Sequence, residues 1–321
     1  MKAIPALVCP SCKAKLDRID KVTFRCNSCC RTYPIVDDIA MFAATDDFYE
    51  EKFTDTVYES RNTRLFEMLH YFFYREKTFF KKWIPRNCTL LDLACGGGKE
   101  LFSKLANITV GIDISKRATE NAKIIYSLVT QGSIMELPFE AEMFDVVVTS
   151  HVIGHIPFDQ KEFVLNEIFR VLKPGGRTIH VIETDSLHPM VKLGKSYPHL
   201  YRLNFIDRYG HYGLELASAA ISRFQSVGFE LISHKRMDAG IAPIWYYEQY
   251  FKGTELEEQF SSIRWRIILS QWLHCHKYPN FLYGVIYGLY HDTLEQRMAP
   301  LDRSMHIAVC FRKPFRTTTT S

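Results

Sequence analysis

Seven short, nearly continuous apolar runs recur between residue 89 and the end of the chain, and that rhythm limits the folds open to it. The runs are TLLDL (89–93), ITVGID (108–113), SLVTQG (127–132), FDVVVTS (144–150), RTIHVIE (177–183), FELISHK (229–235) and MHIAVCFRKP (305–314). Amphipathic stretches lie between the first six. In QKEFVLNEIFRVLKPGG, Val164, Ile168, Val171 and Leu172 share one helical face, and Lys-Pro-Gly-Gly ends the helix. Strands that are apolar on both faces and alternate with helices describe an α/β fold, its mostly parallel sheet covered on both sides. Ligands of such sheets sit beyond the carboxyl ends of the strands, where the strand order reverses.

The first of these runs leads into a glycine turn, LLDLACGGGKE (90–100). Cys95-Gly96-Gly97-Gly98 does not meet the G-x-G-x-x-G spacing of a dinucleotide site. Pyrophosphate binds helix-N-terminal N–H groups away from anions, whereas Asp92 stands just before the turn and would repel it. A cationic ligand suits that acid. S-adenosylmethionine carries an ammonium, a sulfonium and no phosphate, so it fits. Asp113 follows twenty-one residues later, at the tip of the second run, where a carboxylate can accept both ribose hydroxyls.

A different chemistry occupies the first forty residues. Cys9-Pro10-Ser11-Cys12 and Cys26-Asn27-Ser28-Cys29 are two Cys-x-x-Cys knuckles, each pointing two thiolates at one place. Two knuckles complete the tetrahedral sulfur shell of a structural Zn²⁺. A segment this short buries little core, so the metal would supply much of its folding free energy. Cys30 could substitute for Cys29 as the fourth ligand. The competing reading, a redox dithiol pair, belongs at a helix start rather than on a ribbon. With RTYPIVDDIAMF after the second knuckle, residues 6–42 resemble the small four-cysteine zinc ribbons that occur alone or fused to methyltransferases.

Residues 89–183 resemble the class I S-adenosylmethionine-dependent methyltransferases, in particular the group that includes the quinone-biosynthesis C-methyltransferases. The matching pieces are LLDLACGGG, VGIDIS, QGSIMELPFEAEMFDVVVTSHVIGHI and IFRVLKPGG. The resemblance implies a Rossmann-like seven-stranded, mostly parallel sheet with helices on both faces. It also implies that Asp92, Ala94, Cys95 and Gly96 surround the methionine part of the cofactor. Asp113 and Ile114 would hold the ribose and one adenine face, Ser133 and Ile134 would line the adenine, and Ser150 and His151 would close the pocket near the sulfonium. Where the family often has Asp, this chain has Ser133, a neutral acceptor and a weaker one.

Methyl transfer from a sulfonium is an in-line displacement that asks mainly for positioning, and for a base only when the nucleophile carries a weakly acidic proton. His155 follows the fourth run, and His211 lies between Gly210 and Gly213; these two are the expected catalytic or acceptor-site residues. H-E-x-x-H and H-x-x-E-H patterns are absent, so no second metal site is expected.

The segments divide as zinc ribbon (1–42), linker and N-terminal helices (43–88), cofactor-binding core (89–240), helical insertion (241–300) and last strand with tail (301–321). Leu65, Met68, Leu69, Phe72, Phe73, Phe79 and Phe80 repeat at helical spacing before the core, where a helix could close over a ligand beside Tyr49 and Tyr58. Thirteen aromatics fall within 241–300. Such an insertion predicts a lid, a homodimer surface, a pocket for an apolar or aromatic acceptor, or a face docked on a membrane surface to reach a lipid-linked acceptor, though its mixed charges lack a clear basic face. A small-molecule acceptor is therefore expected. RNA held through the ribbon is the alternative, but seven Lys/Arg against four Asp/Glu in the first forty residues is a thin excess for a phosphate-binding module. The longest apolar stretch, FLYGVIYGLY (281–290), is about half of a membrane span. The expectation is a cytoplasmic protein with no stable membrane insertion.

Overall fold

Eleven strands make one sheet in the computed structural model, which describes residues 5–58 and 75–316. In chain order they are β1 (Leu16–Arg18), β2 (Thr23–Cys26), β3 (Thr32–Val36), β4 (Ile39–Met41), β5 (Thr89–Leu93), β6 (Ile108–Asp113), β7 (Leu128–Gln131), β8 (Phe144–Ser150), β9 (Leu172–Glu183), β10 (Glu230–Met237) and β11 (His306–Arg312). Their order across the sheet is β1-β2-β3-β4-β7-β6-β5-β8-β9-β11-β10. From β4 to β9 all neighbours are parallel, while β11 runs antiparallel between β9 and β10. The seven runs read from the sequence are β5 to β11, and the strand order reverses between β5 and β8.

The strand count nevertheless differs from seven, because the cysteine segment is not a separate body. Its β3 and β4 form a hairpin, and β4 pairs in parallel with β7. Lys13 adds an ion pair to Glu167 at 2.7 Å, and Val8 N–H donates to the Pro138 carbonyl. The ribbon continues the sheet and covers what would otherwise be an open edge at β7.

Alternation within each central strand sends side chains to two cores. Leu91, Leu93, Val110, Ile112, Val147 and Phe311 pack on one face with the helices Lys161–Val171 and Ala217–Ser226. Leu90, Val146, Val148, Ile179, Val181 and Cys310 face the other side, with Phe79 and Phe80 of the helix Arg75–Trp83. The earlier part of the expected N-terminal helix, with Leu65, Met68, Leu69, Phe72 and Phe73, lies outside the described residues.

Two separated segments build a cap above the strand ends. Helix Pro189–Lys195 and the turns through Asp207 pack with the helices Ile244–Phe251 and Ser261–Cys275. At their centre Phe205 stacks on Tyr250, ring centroids 4.1 Å apart. Within the segment read as core (89–240), Met190, Val191 and Phe205 pack in this layer. Outward, the cap exposes Trp265, Ile268 and Trp272, and the following helix Lys277–Tyr290 exposes Tyr278, Leu282 and Ile286. Among the described residues, no helix is long and apolar enough to cross a membrane.

Candidate active site

The reversal between β5 and β8 opens a cavity of about 910 Å³ at the carboxyl ends of the strands. Of the residues read from the sequence, Ala94, Cys95, Gly96, Asp113, Ile114, Ser133, Ile134, Ser150, His151, His155 and His211 all line it. Asp92 does not. It is buried behind the turn, where its carboxylate accepts the Tyr126 hydroxyl at 2.7 Å, and that same hydroxyl accepts the Lys99 N–H. Asp92 therefore acts on the turn from beneath instead of facing the cavity. Burial pushes its carboxyl up to about 7, against the Tyr126 hydrogen bond and the charge of Lys99.

The glycines of the turn serve the protein's own chain. A Cβ on Gly96 would lie 2.4 Å from the Phe53 carbonyl oxygen, and one on Gly97 would lie 2.1 Å from that of Thr54. Gly96 also has φ +53°. The linker is stitched here: Val57 N–H donates to Gly98, Glu100 N–H to Val57, and Glu50 accepts from the Lys116 and Arg117 N–H groups at 2.9 and 3.0 Å. The linker thus forms a wall of the cavity through Tyr49 and Phe53. Asp113 accepts from Gly96 N–H at 2.8 Å and from Ser115 N–H at 2.9 Å, so the turn and the tip of β6 hold one another. Lys99, which the sequence reading passed over, extends into the cavity and reaches Ser150 Oγ at 2.5 Å.

At the other end stands a buried carboxylate, Glu183, on the last residue of β9. His151, at φ +61°, places its ring between two carboxylates: Nδ1 is 2.6 Å from Glu183 Oε1 and Nε2 is 2.8 Å from Glu76 Oε1. Burial alone would lower the His151 pKa, but Glu76 and Glu183 outweigh it and raise it to about 10. The imidazolium in turn holds Glu76 down at about 2, against the cost of burial. Two carboxylates against one imidazolium leave one net negative charge, which favours a sulfonium nearby.

His155 and His211 come together across the remaining side of Glu183, with ring centroids 4.8 Å apart. Their meeting depends on a pin between distant segments. Gly213 N–H donates to the Gly154 carbonyl, and a Cβ on Gly213 would fall 1.8 Å from the Ile156 oxygen. Beneath it the buried Lys161 ammonium donates to the Gly213 carbonyl at 2.5 Å and to Glu215 at 2.7 Å. Burial lowers the pKa of both histidines, His211 to about 4, so both imidazoles are neutral at neutral pH. Tyr209, Tyr212, Tyr246 and Tyr250 complete this end.

On the sheet's far flank the sulfurs of Cys9, Cys12, Cys26 and Cys29 lie within 4.8 Å of one another. Cys9 and Cys29 are 3.7 Å apart and Cys12 and Cys26 are 3.4 Å apart. Edges of about 3.7 Å are what a tetrahedron of Zn–S bonds of about 2.3 Å requires. Backbone N–H groups of Cys29 and Ser28 point at Cys26 Sγ and lower its thiol to about 6. Cys30 is exposed and outside the cluster, which leaves Cys29 in the fourth position.

Residues 91–180 match the family model described as "Methyltransferase domain". A demethylmenaquinone methyltransferase of Lactococcus lactis is 34% identical over 149 residues, 43% of this chain and 57% of that protein. One from Lactiplantibacillus plantarum is 25% identical over 53% of this chain and 81% of its own length. This chain therefore spans little more than half of the Lactococcus relative. Among solved structures, a Haemonchus contortus phosphoethanolamine N-methyltransferase in complex with S-adenosyl-L-methionine superposes with a TM-score of 0.46 at 16% identity, over 83% of this chain and 60% of that one.

A buried acid with a raised pKa makes stability depend on pH in a defined direction. The stability Asp92 contributes is complete below the ordinary carboxyl value of 3.8 and is lost as pH rises through about 7. At 1.36 kcal/mol per unit the full loss is roughly 4 kcal/mol at most. Asp92→Asn keeps an acceptor for Tyr126 without the charge. Thermal melts at pH 5 and pH 8 should show the variant gaining on the wild type at the higher pH, and a difference independent of pH would contradict the burial argument.

Proposed function

Residues 91–180 carry a methyltransferase domain, and from that premise we propose that the protein transfers a methyl group from S-adenosylmethionine to a small, partly apolar or aromatic acceptor. The observation that carries this reading is one cavity with two unlike ends. The turn end offers a carboxylate at the tip of β6 and the free face of a glycine turn; the other offers neutral histidines and tyrosines. The relatives' names, with demethylmenaquinone methyltransferases among them, favour a flat ring as acceptor.

On this reading Asp113 accepts the ribose hydroxyls while Ile114 and Ile134 sandwich the adenine beside Ser133. Ala94, Cys95 and Gly96 face the methionine part, and Lys99 pairs with its carboxylate. Ser150, with the negatively charged group of Glu76, His151 and Glu183, lies by the sulfonium. The bound cofactor supplies an electrophilic methyl group. What the chain does is positional: the linker and the cap exclude water, and His155 and His211 hold the acceptor's nucleophilic atom. Oxygen, nitrogen and carbon acceptors are all compatible with that end.

We also assign the four-cysteine cluster to one structural Zn²⁺, because its sulfur spacing fits the ion and all four positions are filled by protein. Metal analysis of freshly purified protein should give about one zinc per chain, lost in a Cys9→Ser/Cys26→Ser variant. A zinc-free wild type that stays folded would refute the assignment.

The acceptor class is tested by label transfer. Protein incubated with methyl-labelled S-adenosylmethionine and host extract should label the small-molecule or lipid fraction. Label confined to RNA would overturn the small-acceptor reading and make the ribbon a substrate-holding element.

A further inference from the structure

Glu183 is engaged on one oxygen only. Oε1 is taken by His151, whereas Oε2 is buried without a hydrogen-bond partner among the described residues, as is His155 Nδ1. An ionised carboxylate oxygen left unpaired in a protein interior is costly, and its presence points to a missing cationic or donating partner. His211 Nδ1 is 2.9 Å from the Phe205 carbonyl, which fixes the N–H there and leaves the Nε2 lone pair free. Donor atoms of His155, Glu183 and His211 all lie within 4.8 Å of one another, beside the cavity.

We propose that His155, Glu183 and His211 form a two-histidine, one-carboxylate site for a first-row divalent cation. Ligands bound at about 2.1 Å are at most ~4.2 Å apart across the ion, so the three need close by only a few tenths of an ångström. Two neutral nitrogens and one anionic oxygen suit Mn²⁺, Fe²⁺, Co²⁺ or Zn²⁺ and leave coordination positions open. A carbonyl fixing the far nitrogen of His211 and an imidazolium fixing the far oxygen of Glu183 are the outer partners such ligands usually have. A second grouping, His151, Glu183 and His306, does not qualify, since both nitrogens of His151 are already committed to carboxylates.

The site's use rests on the methyltransferase reading, but its existence does not. Facing the cavity, the cation would bind an acceptor hydroxyl and hold it as the anion, its proton passing to solvent; that anion and the net negative charge of Glu76, His151 and Glu183 together offset the cation's two charges, so the loaded site does not repel the sulfonium. The new bond joins that oxygen to the methyl carbon, and the electron pair of the broken C–S bond stays on sulfur, leaving a neutral thioether.

Cobalt tests the site without any turnover. Full-length protein, with its cysteine cluster filled by zinc, is titrated with Co²⁺ in the absence of S-adenosylmethionine. The expected result is one further equivalent with weak d–d absorption and no sulfur-to-metal charge transfer. His211→Ala and His155→Ala, each shown folded by its melt, should weaken that equivalent at least tenfold. Glu183→Gln should do the same, and the histidine variants keep the test valid if loss of the His151 partner unfolds it. Absence of a saturable second equivalent, or uptake unchanged in both histidine variants, would overturn the proposal. Failure to transfer methyl groups would leave this result standing and count against the functional reading alone.

Discussion

An ionised carboxylate stays in a protein interior only when other groups balance it, and one end of this cavity is arranged around one such group. Glu183 ends β9 and is almost wholly buried. His151 answers one oxygen, and to do so it adopts a left-handed backbone conformation and draws in Glu76 from the helix Arg75–Trp83. His155 and His211 face the other oxygen, brought there by the buried Lys161 and the close packing of Gly213 on Ile156. This end of the cavity thus takes its shape from electrostatic balance, and the loops after β8 and β9 follow from it.

Much of the fold was legible because it rests on local pattern. Parallel strands buried on both faces must be apolar throughout, so β5 to β9 stood out as runs, as did the antiparallel β11 buried between β9 and β10, and Cys-x-x-Cys knuckles announce their own geometry. Asp113 lines the cavity because it ends β6 beside the switch point, a position that the run's end marks in the sequence. Asp92 was placed correctly at the turn but read as facing the ligand, when Tyr126, thirty-four residues away, turns it inward. No spacing rule reports that pairing. Glu183 and Lys161 went unnoticed for the same reason: a single acid at a strand end or lysine at a helix start looks solvated until the fold buries it. The packing of Met190, Val191 and Phe205 into the cap was not legible, since their partners in Ile244–Phe251 and Ser261–Cys275 lie well further along the chain.

The cysteine ribbon carries a second lesson. Read alone, it is a small zinc-ribbon module that packs on the next domain or touches substrate. In the fold, β4 extends the parallel sheet from β7, and the linker after it crosses the glycine turn on its way to the core. The four-cysteine cluster is thereby connected through continuous backbone to the wall of the cavity. The glycines that looked like a cradle for ligand are small chiefly so that this linker can lie against them.

Every role proposed for the cavity depends on its being a site for S-adenosylmethionine, and equilibrium binding addresses that before any acceptor is known. Calorimetric titration of S-adenosylhomocysteine into the wild type and into Asp113→Asn compares the same fold with and without the anionic acceptor at the tip of β6. Saturable one-to-one binding that weakens at least tenfold in the variant, about 1.4 kcal/mol, is the predicted result. No binding by the wild type, or equal affinity in both proteins, would contradict the account at its centre.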